Sequence, residues 1–166
     1  MRNERPVNQD FEEFIRLLNK YKVEYCVIGG YAVAFHAAPR YTEDIDVYVS
    51  RSAENAKKVA DALKEFVGNN AVGESYFVKE RSFVRVGEPP NKIEILNFLD
   101  GADERAAIAH RVKSTYGIEP VYYIGIDDLI ACKKAVKDKS GRRDKKGVDD
   151  SDIAMLSKSR KKQQKG

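Results

Sequence analysis

Short apolar runs alternating with segments of helical period predict an α/β (α+β) chain, with one mixed β-sheet and helices packed on it. Three observations carry this. The run EYCVI (24–28) is cut by Gly29 and Gly30 and followed by the small, apolar YAVAFHAA (31–38). The segments IDVYV (45–49) and KIEILNFL (92–99) alternate in the manner of strands. Finally, IDDLIACKKAVK (126–137) places apolar residues at helical spacing.

The elements follow in order. DFEEFIRLLNKY (10–21) is a helix with Phe11, Phe14, Leu17 and Leu18 on one face, Asp10 as its expected N-cap and Glu12 and Glu13 in its first turn. EYCVI is a short buried strand, and the helix after the glycine pair stops at Pro39. IDVYV is the next strand. Ser50 or Ser52 caps the amphipathic helix AENAKKVADALKEF (53–66). YFVKERSFVRVG (76–87) reads as a strand pair or one long bent strand, closed by the turn GEPPN (87–91). In KIEILNFL, Glu94 points away from Ile93 and Ile95. DGADERAAIAHR (100–111) is a short helix after a turn, and EPVYYIG (119–125) is a further strand. IDDLIACKKAVK starts near Asp127 and Asp128. A charged loop, KDKSGRRDKKG (137–147), leads to a last helix, DDSDIAML (149–156). The expectation is a single domain over 1–157 and a basic, disordered tail over 158–166.

Length and composition narrow the functions. The chain of 166 residues is long enough to build a core without disulfides. Cys26 and Cys132 each sit among apolar residues, which predicts reduced, buried thiols. Two cysteines and two histidines, His36 and His110, show no zinc spacing, so a metal here would be held by oxygen. No apolar run approaches the ~20 residues that a membrane span needs. MRNERPVNQD lacks the apolar centre of a signal peptide, and the expected location is cytoplasmic. The net charge of +4 is concentrated in KSRKKQQKG (158–166). Such an end is either a solvated tail or a source of phosphate contacts, and it carries no aromatic residues to stack on bases.

The chemistry centres on carboxylates. Asp44 and Asp46 lie two residues apart on a strand, and so on one face, where like charges repel. Either they sit on the polar face of a half-exposed strand, or a divalent cation with oxygen ligands lies between them. Glu94 has the same phase on another strand. If the two strands are neighbours, three carboxylates converge and can hold two metal ions suited to in-line phosphoryl or nucleotidyl displacement. Gly29 and Gly30, between a strand and a helix, either form a tight turn or let backbone N–H groups approach a triphosphate.

Strand, G-G, helix, D-x-D on the next strand, then an acid on a later strand: this order resembles the DNA polymerase beta superfamily of nucleotidyltransferases. Within it the chain is similar to the minimal nucleotidyltransferases, including the catalytic domain of abortive-infection-type toxins. Arg40 and Thr42 just before the D-x-D, Lys133 about one turn after D-L-I, and Asp149 and Asp152 in the closing GRRDKKGVDDSDI carry the finer likeness. It covers about 11–156 and is vague from 68 to 86. The third acid departs from it, because these relatives more often have aspartate where Glu94 stands. The long charged loop leaves the places of Arg142 and Arg143 open.

The resemblance implies transfer of a nucleoside monophosphate from a triphosphate, ATP by default, to a hydroxyl of a protein, tRNA or small molecule. Asp44, Asp46 and Glu94 would be the catalytic acids and the ligands of Mg²⁺ or Mn²⁺, with Glu94 also able to take the acceptor's proton. Gly29, Gly30, Arg40, Thr42 and Lys133 would be the nucleotide-binding residues. Arg40 could instead pair with Glu43, and Lys133 could instead lie on a solvated helix face. His36 is expected to be packed and neutral. His110 and the 137–146 loop either approach an RNA acceptor or are only solvated. Two other classes stay open: a non-catalytic nucleotide- or partner-binding module, such as one component of a toxin–antitoxin pair, and a basic RNA-binding protein acting through its C-terminal end.

Overall fold

The computed structural model describes residues 6–137 and 146–165; the expectations for Arg142 and Arg143 lie outside them. The elements run α1 (Gln9–Lys20), β1 (Tyr25–Ile28), α2 (Gly29–His36), β2 (Asp44–Val49), α3 (Ala53–Val67), α4 (Glu74–Phe77), β3 (Phe83–Val86), β4 (Lys92–Leu96), α5 (Glu104–Ala109), β5 (Val112–Tyr116), β6 (Glu119–Tyr123), α6 (Ile126–Val136) and α7 (Lys146–Lys165). The strands form one mixed sheet in the order β3-β4-β2-β1-β6-β5. β1 lies antiparallel to β2 and parallel to β6, and β2 lies parallel to β4. This is the mixed sheet with packed helices that the alternation of patterns predicts.

The core follows from the periodicities. Phe11, Phe14, Ile15, Leu17 and Leu18 of α1 are buried, as are Ile45, Val47 and Val49 of β2 and Ile93 and Ile95 of β4. The apolar phase of β2 and β4 therefore faces inward, and the acidic phase is left to the opposite face. Helix α1 packs on α3, and α6 on α7, while α2 touches β1, β2, α6 and α7. Cys26 and Cys132 are free thiols, and burial pushes them up to about 12 and about 11. No helix among the described residues is long and apolar enough to cross a membrane.

Several elements differ from expectation. Asn8, not Asp10, caps α1, its side chain accepting from the backbone N–H of Asp10 at 2.9 Å and of Phe11 at 3.2 Å. As expected of one of the two candidate serines, Ser52 caps α3, accepting from Asn55 N–H at 3.1 Å. The stretch read as a strand pair begins instead as the end of α4, and only Phe83–Val86 enters the sheet. There Asn97 holds the corner, accepting from Ser82 N–H at 2.7 Å and donating to Phe77 O at 3.0 Å. β5 forms a hairpin with β6 through Gly117, which has φ of 61°. The segment expected as a disordered tail is helical through Lys165, tied down by Ser159 Oγ donating to His36 O at 2.5 Å and by Arg160 against Asp127 at 2.7 Å.

Candidate active site

The site gathers where β1 ends and β2 and β4 begin. β1 runs into α2 through Gly29, whose φ of 68° lies in the left-handed region that glycine adopts without a steric penalty. A Cβ on Gly29 would land on the Asp46 carboxylate. The first glycine therefore supplies the turn and also clears the place where Asp46 sits. The second glycine makes room elsewhere, since a Cβ on Gly30 would stand 3.0 Å from the Arg40 guanidinium and from Thr42 Cβ.

The parallel register of β2 and β4 sets Asp46 directly opposite Glu94, and Asp44 opposite Lys92. The strands are neighbours, so the three acids stand on one face of two adjacent strands. Desolvation, a hydrogen bond with Glu94 and the charges of Glu94 and Asp44 push the Asp46 carboxyl well above the usual carboxylate range, against a lowering by Lys133. Thr42 Oγ1 lies 3.2 Å from Asp44 O and 3.4 Å from Asp44 N, fixing the start of β2. Asp44 Oδ1 is buried with no hydrogen-bond partner among the described residues.

Two cations face the acids. Lys92 Nζ lies 3.3 Å from Asp44 Oδ2 and 3.4 Å from Glu94 Oε1. Burial opposes its charge, but Asp44 and Glu94 outweigh burial and raise its pKa. Arg85, opposite Glu94 on β3, reaches Glu94 Oε1 at 3.5 Å from a more exposed position. Sequence reasoning misses both residues, although Lys92 has the strand phase of Glu94 and Arg85 stands between two valines.

A buried ion cluster supports the site from behind. Arg40 Nε lies 3.0 Å from Asp152 Oδ1, and Lys133 Nζ lies 3.1 Å from Asp152 Oδ2 and 3.8 Å from Asp149 Oδ1. Lys133, Asp149 and Asp152 are all buried. Two alternatives are thereby settled. Lys133 is not on a solvated face, and Arg40 pairs with α7 rather than with Glu43, whose carboxylate accepts from Tyr41 OH at 2.7 Å. These contacts tie the approach to β2 to α6 and α7. His36 is packed as expected, with Nε2 at 2.6 Å from Ile124 O, and burial lowers its pKa. His110 lies apart from the acids, 3.3 Å from Asp128.

The donor set fits a hard divalent cation: carboxylate oxygens, one of them buried and unpartnered, beside a glycine that leaves them room. As the side chains stand, however, no three His, Cys, Asp or Glu groups among the described residues are gathered to hold one ion. Lys92 reaches between Asp44 and Glu94.

The fold can be placed among known ones. No protein-family model matches the chain, and no curated protein matches it. The sheet and its helices have the nucleotidyltransferase-like fold. A solved structure carrying it is an antigenic nucleotidyltransferase-like protein from Paracoccidioides brasiliensis, similar over 92% of this chain and 78% of that chain, with a TM-score of 0.54 and 16% identity. At that identity the likeness is one of fold.

Proposed function

We propose that the chain is a nucleotidyltransferase of the DNA polymerase beta type, close to the minimal, abortive-infection-type enzymes. It would move a nucleoside monophosphate from a triphosphate to a hydroxyl acceptor. One observation carries the reading: Asp46 and Glu94 face each other across parallel strands, directly beneath the glycine turn that opens α2.

Asp44, Asp46 and Glu94 are the residues that would hold Mg²⁺ or Mn²⁺, which when bound neutralises phosphate charge and acidifies a hydroxyl. The chain's own groups divide the remaining work. The first backbone N–H groups of α2, with no side chain capping them, offer hydrogen bonds to phosphate oxygens. Glu94, opposite Asp46 in the register of β2 and β4, takes the proton of the acceptor hydroxyl. The acceptor oxygen bonds to the α-phosphorus, the bond from that phosphorus to the bridging oxygen breaks, and pyrophosphate leaves. Arg40, Thr42 and Lys133 act on the nucleotide mainly by holding the loop before β2 and the field behind Asp46. ATP is the default donor. The acceptor is a protein, tRNA or small-molecule hydroxyl, and an antitoxin or toxin partner accompanies the toxin-like reading.

Transfer of label from α-phosphate-labelled triphosphates, with release of pyrophosphate, tests this. Wild type should transfer and Asp46→Asn should fall at least 100-fold. Equal transfer by both would remove Asp46 from the chemistry. A second reading, a non-catalytic nucleotide- or partner-binding module, is favoured by one observation: Lys92 and Arg85 already balance the acids. It predicts binding without pyrophosphate release.

A further inference from the structure

The three acids face two cations, of which Lys92 is the inner one. Its side chain is 17% exposed, against 57% for Arg85. It sits two residues before Glu94 on β4, so both project from the same face, and the register puts it opposite Asp44. Its ammonium bridges Asp44 Oδ2 and Glu94 Oε1, which belong to different strands. A compact, strongly charged group with three donors thus stands between two of the carboxylates that a divalent cation would need.

We propose that Lys92 is a built-in counter-ion of the acid cluster, which holds Asp44 and Glu94 in competition with a divalent cation and sets the metal affinity of the site. The inference rests on the reading of these acids as metal ligands. A cation can take both carboxylates only when the ammonium leaves them, and two positive charges in one partly desolvated place repel strongly. Lys92 therefore keeps Asp44 and Glu94 paired across the two strands, while it weakens binding of the bare ion.

The test is titration with Mn²⁺ alone, following the free-ion electron paramagnetic resonance signal, on wild type, Lys92→Gln, Lys92→Arg and Asp46→Asn. Lys92→Gln should bind Mn²⁺ at least tenfold tighter than wild type, Lys92→Arg should stay within about threefold of wild type, and Asp46→Asn should lose binding. Equal or weaker binding by Lys92→Gln, with wild-type binding still lost in Asp46→Asn, overturns the role of Lys92 and leaves the acids as ligands. Binding by none of the four proteins at millimolar Mn²⁺ overturns the metal reading and this inference with it.

A measurement on the unaltered protein covers the case in which Lys92→Gln does not fold. Reductive methylation of Lys92, followed by peptide mass spectrometry, should be slow in metal-free buffer and accelerate several-fold with saturating Mg²⁺. An unchanged rate while Mg²⁺ binds contradicts displacement.

Discussion

Gly29 and Gly30 are adjacent, yet they meet different demands. Gly29 needs its left-handed backbone and the space that Asp46 fills. Gly29→Ala should therefore cost about 1–2 kcal/mol from the backbone term, with the clash in addition, and should abolish nucleotide binding. Gly30→Ala presses on Arg40 and Thr42 at 3.0 Å but needs no left-handed backbone, and should destabilise less. Thermal melts of the two variants check the order. Asp46 gives a prediction in pH. Its raised pKa means that the folded chain keeps this proton to higher pH than the unfolded chain, so stability falls as pH rises from about 3.9 through the raised value. In metal-free buffer Asp46→Asn should melt above wild type at pH 7, and the difference should shrink as the pH is lowered toward 4. A variant that melts lower at pH 7 would mean that the ionised carboxylate is paired rather than repelled. At this scale the sequence is informative: the phase of D-x-D and I-E-I identifies the three acids. It does not reveal Lys92, because a lysine in a strand reads first as an exposed residue, and only the register with Asp44 makes it an inner one.

Among the elements, α7 does the most to hold the site's surroundings. Asp149 and Asp152 carry two buried negative charges from α7 to Lys133 on α6, and Asp152 also meets Arg40 before β2. Removing one partner of a buried ion pair leaves its counterpart desolvated and uncompensated. Asp152→Ala should lower stability by about 3–5 kcal/mol in urea unfolding, and adding Lys133→Met should recover part of that. A loss below about 1 kcal/mol would show that water reaches the cluster, as for an exposed pair. Strands with a continuous apolar phase, β1, β2 and β4, are legible in the sequence. β5 is not, because VKSTY has no apolar face to bury, and its pairing with β6 depends on the turn at Gly117. The end of α4 reads as strand because Tyr76 and Phe77 carry strand-type side chains, and α4 is one turn long. The helical run of α7 past Leu156 is equally hidden. Its residues are charged and polar, and what holds them are tertiary contacts to His36 and Asp127.

For the whole molecule, the sheet order decides which acids meet. β4 could have paired elsewhere; beside β2 and parallel to it, it brings Glu94 to Asp46. Local patterns supply the two halves of the site, whereas their juxtaposition is a property of the completed sheet. The basic C-terminal end bears on the competing class, since an RNA-binding protein acting through 158–166 would lose nucleic-acid binding when that segment is removed. The nucleotidyltransferase reading expects metal-dependent nucleotide binding to survive the same truncation, as calorimetry would show.

The most direct measurement is calorimetric titration of a nonhydrolysable ATP analogue into wild type and Asp44→Asn/Asp46→Asn, each with and without Mg²⁺. Binding to wild type should require the metal and should be lost in the double variant. Binding that the double variant keeps, or that needs no metal, would contradict the claim that the paired aspartates hold a metal for a nucleotide.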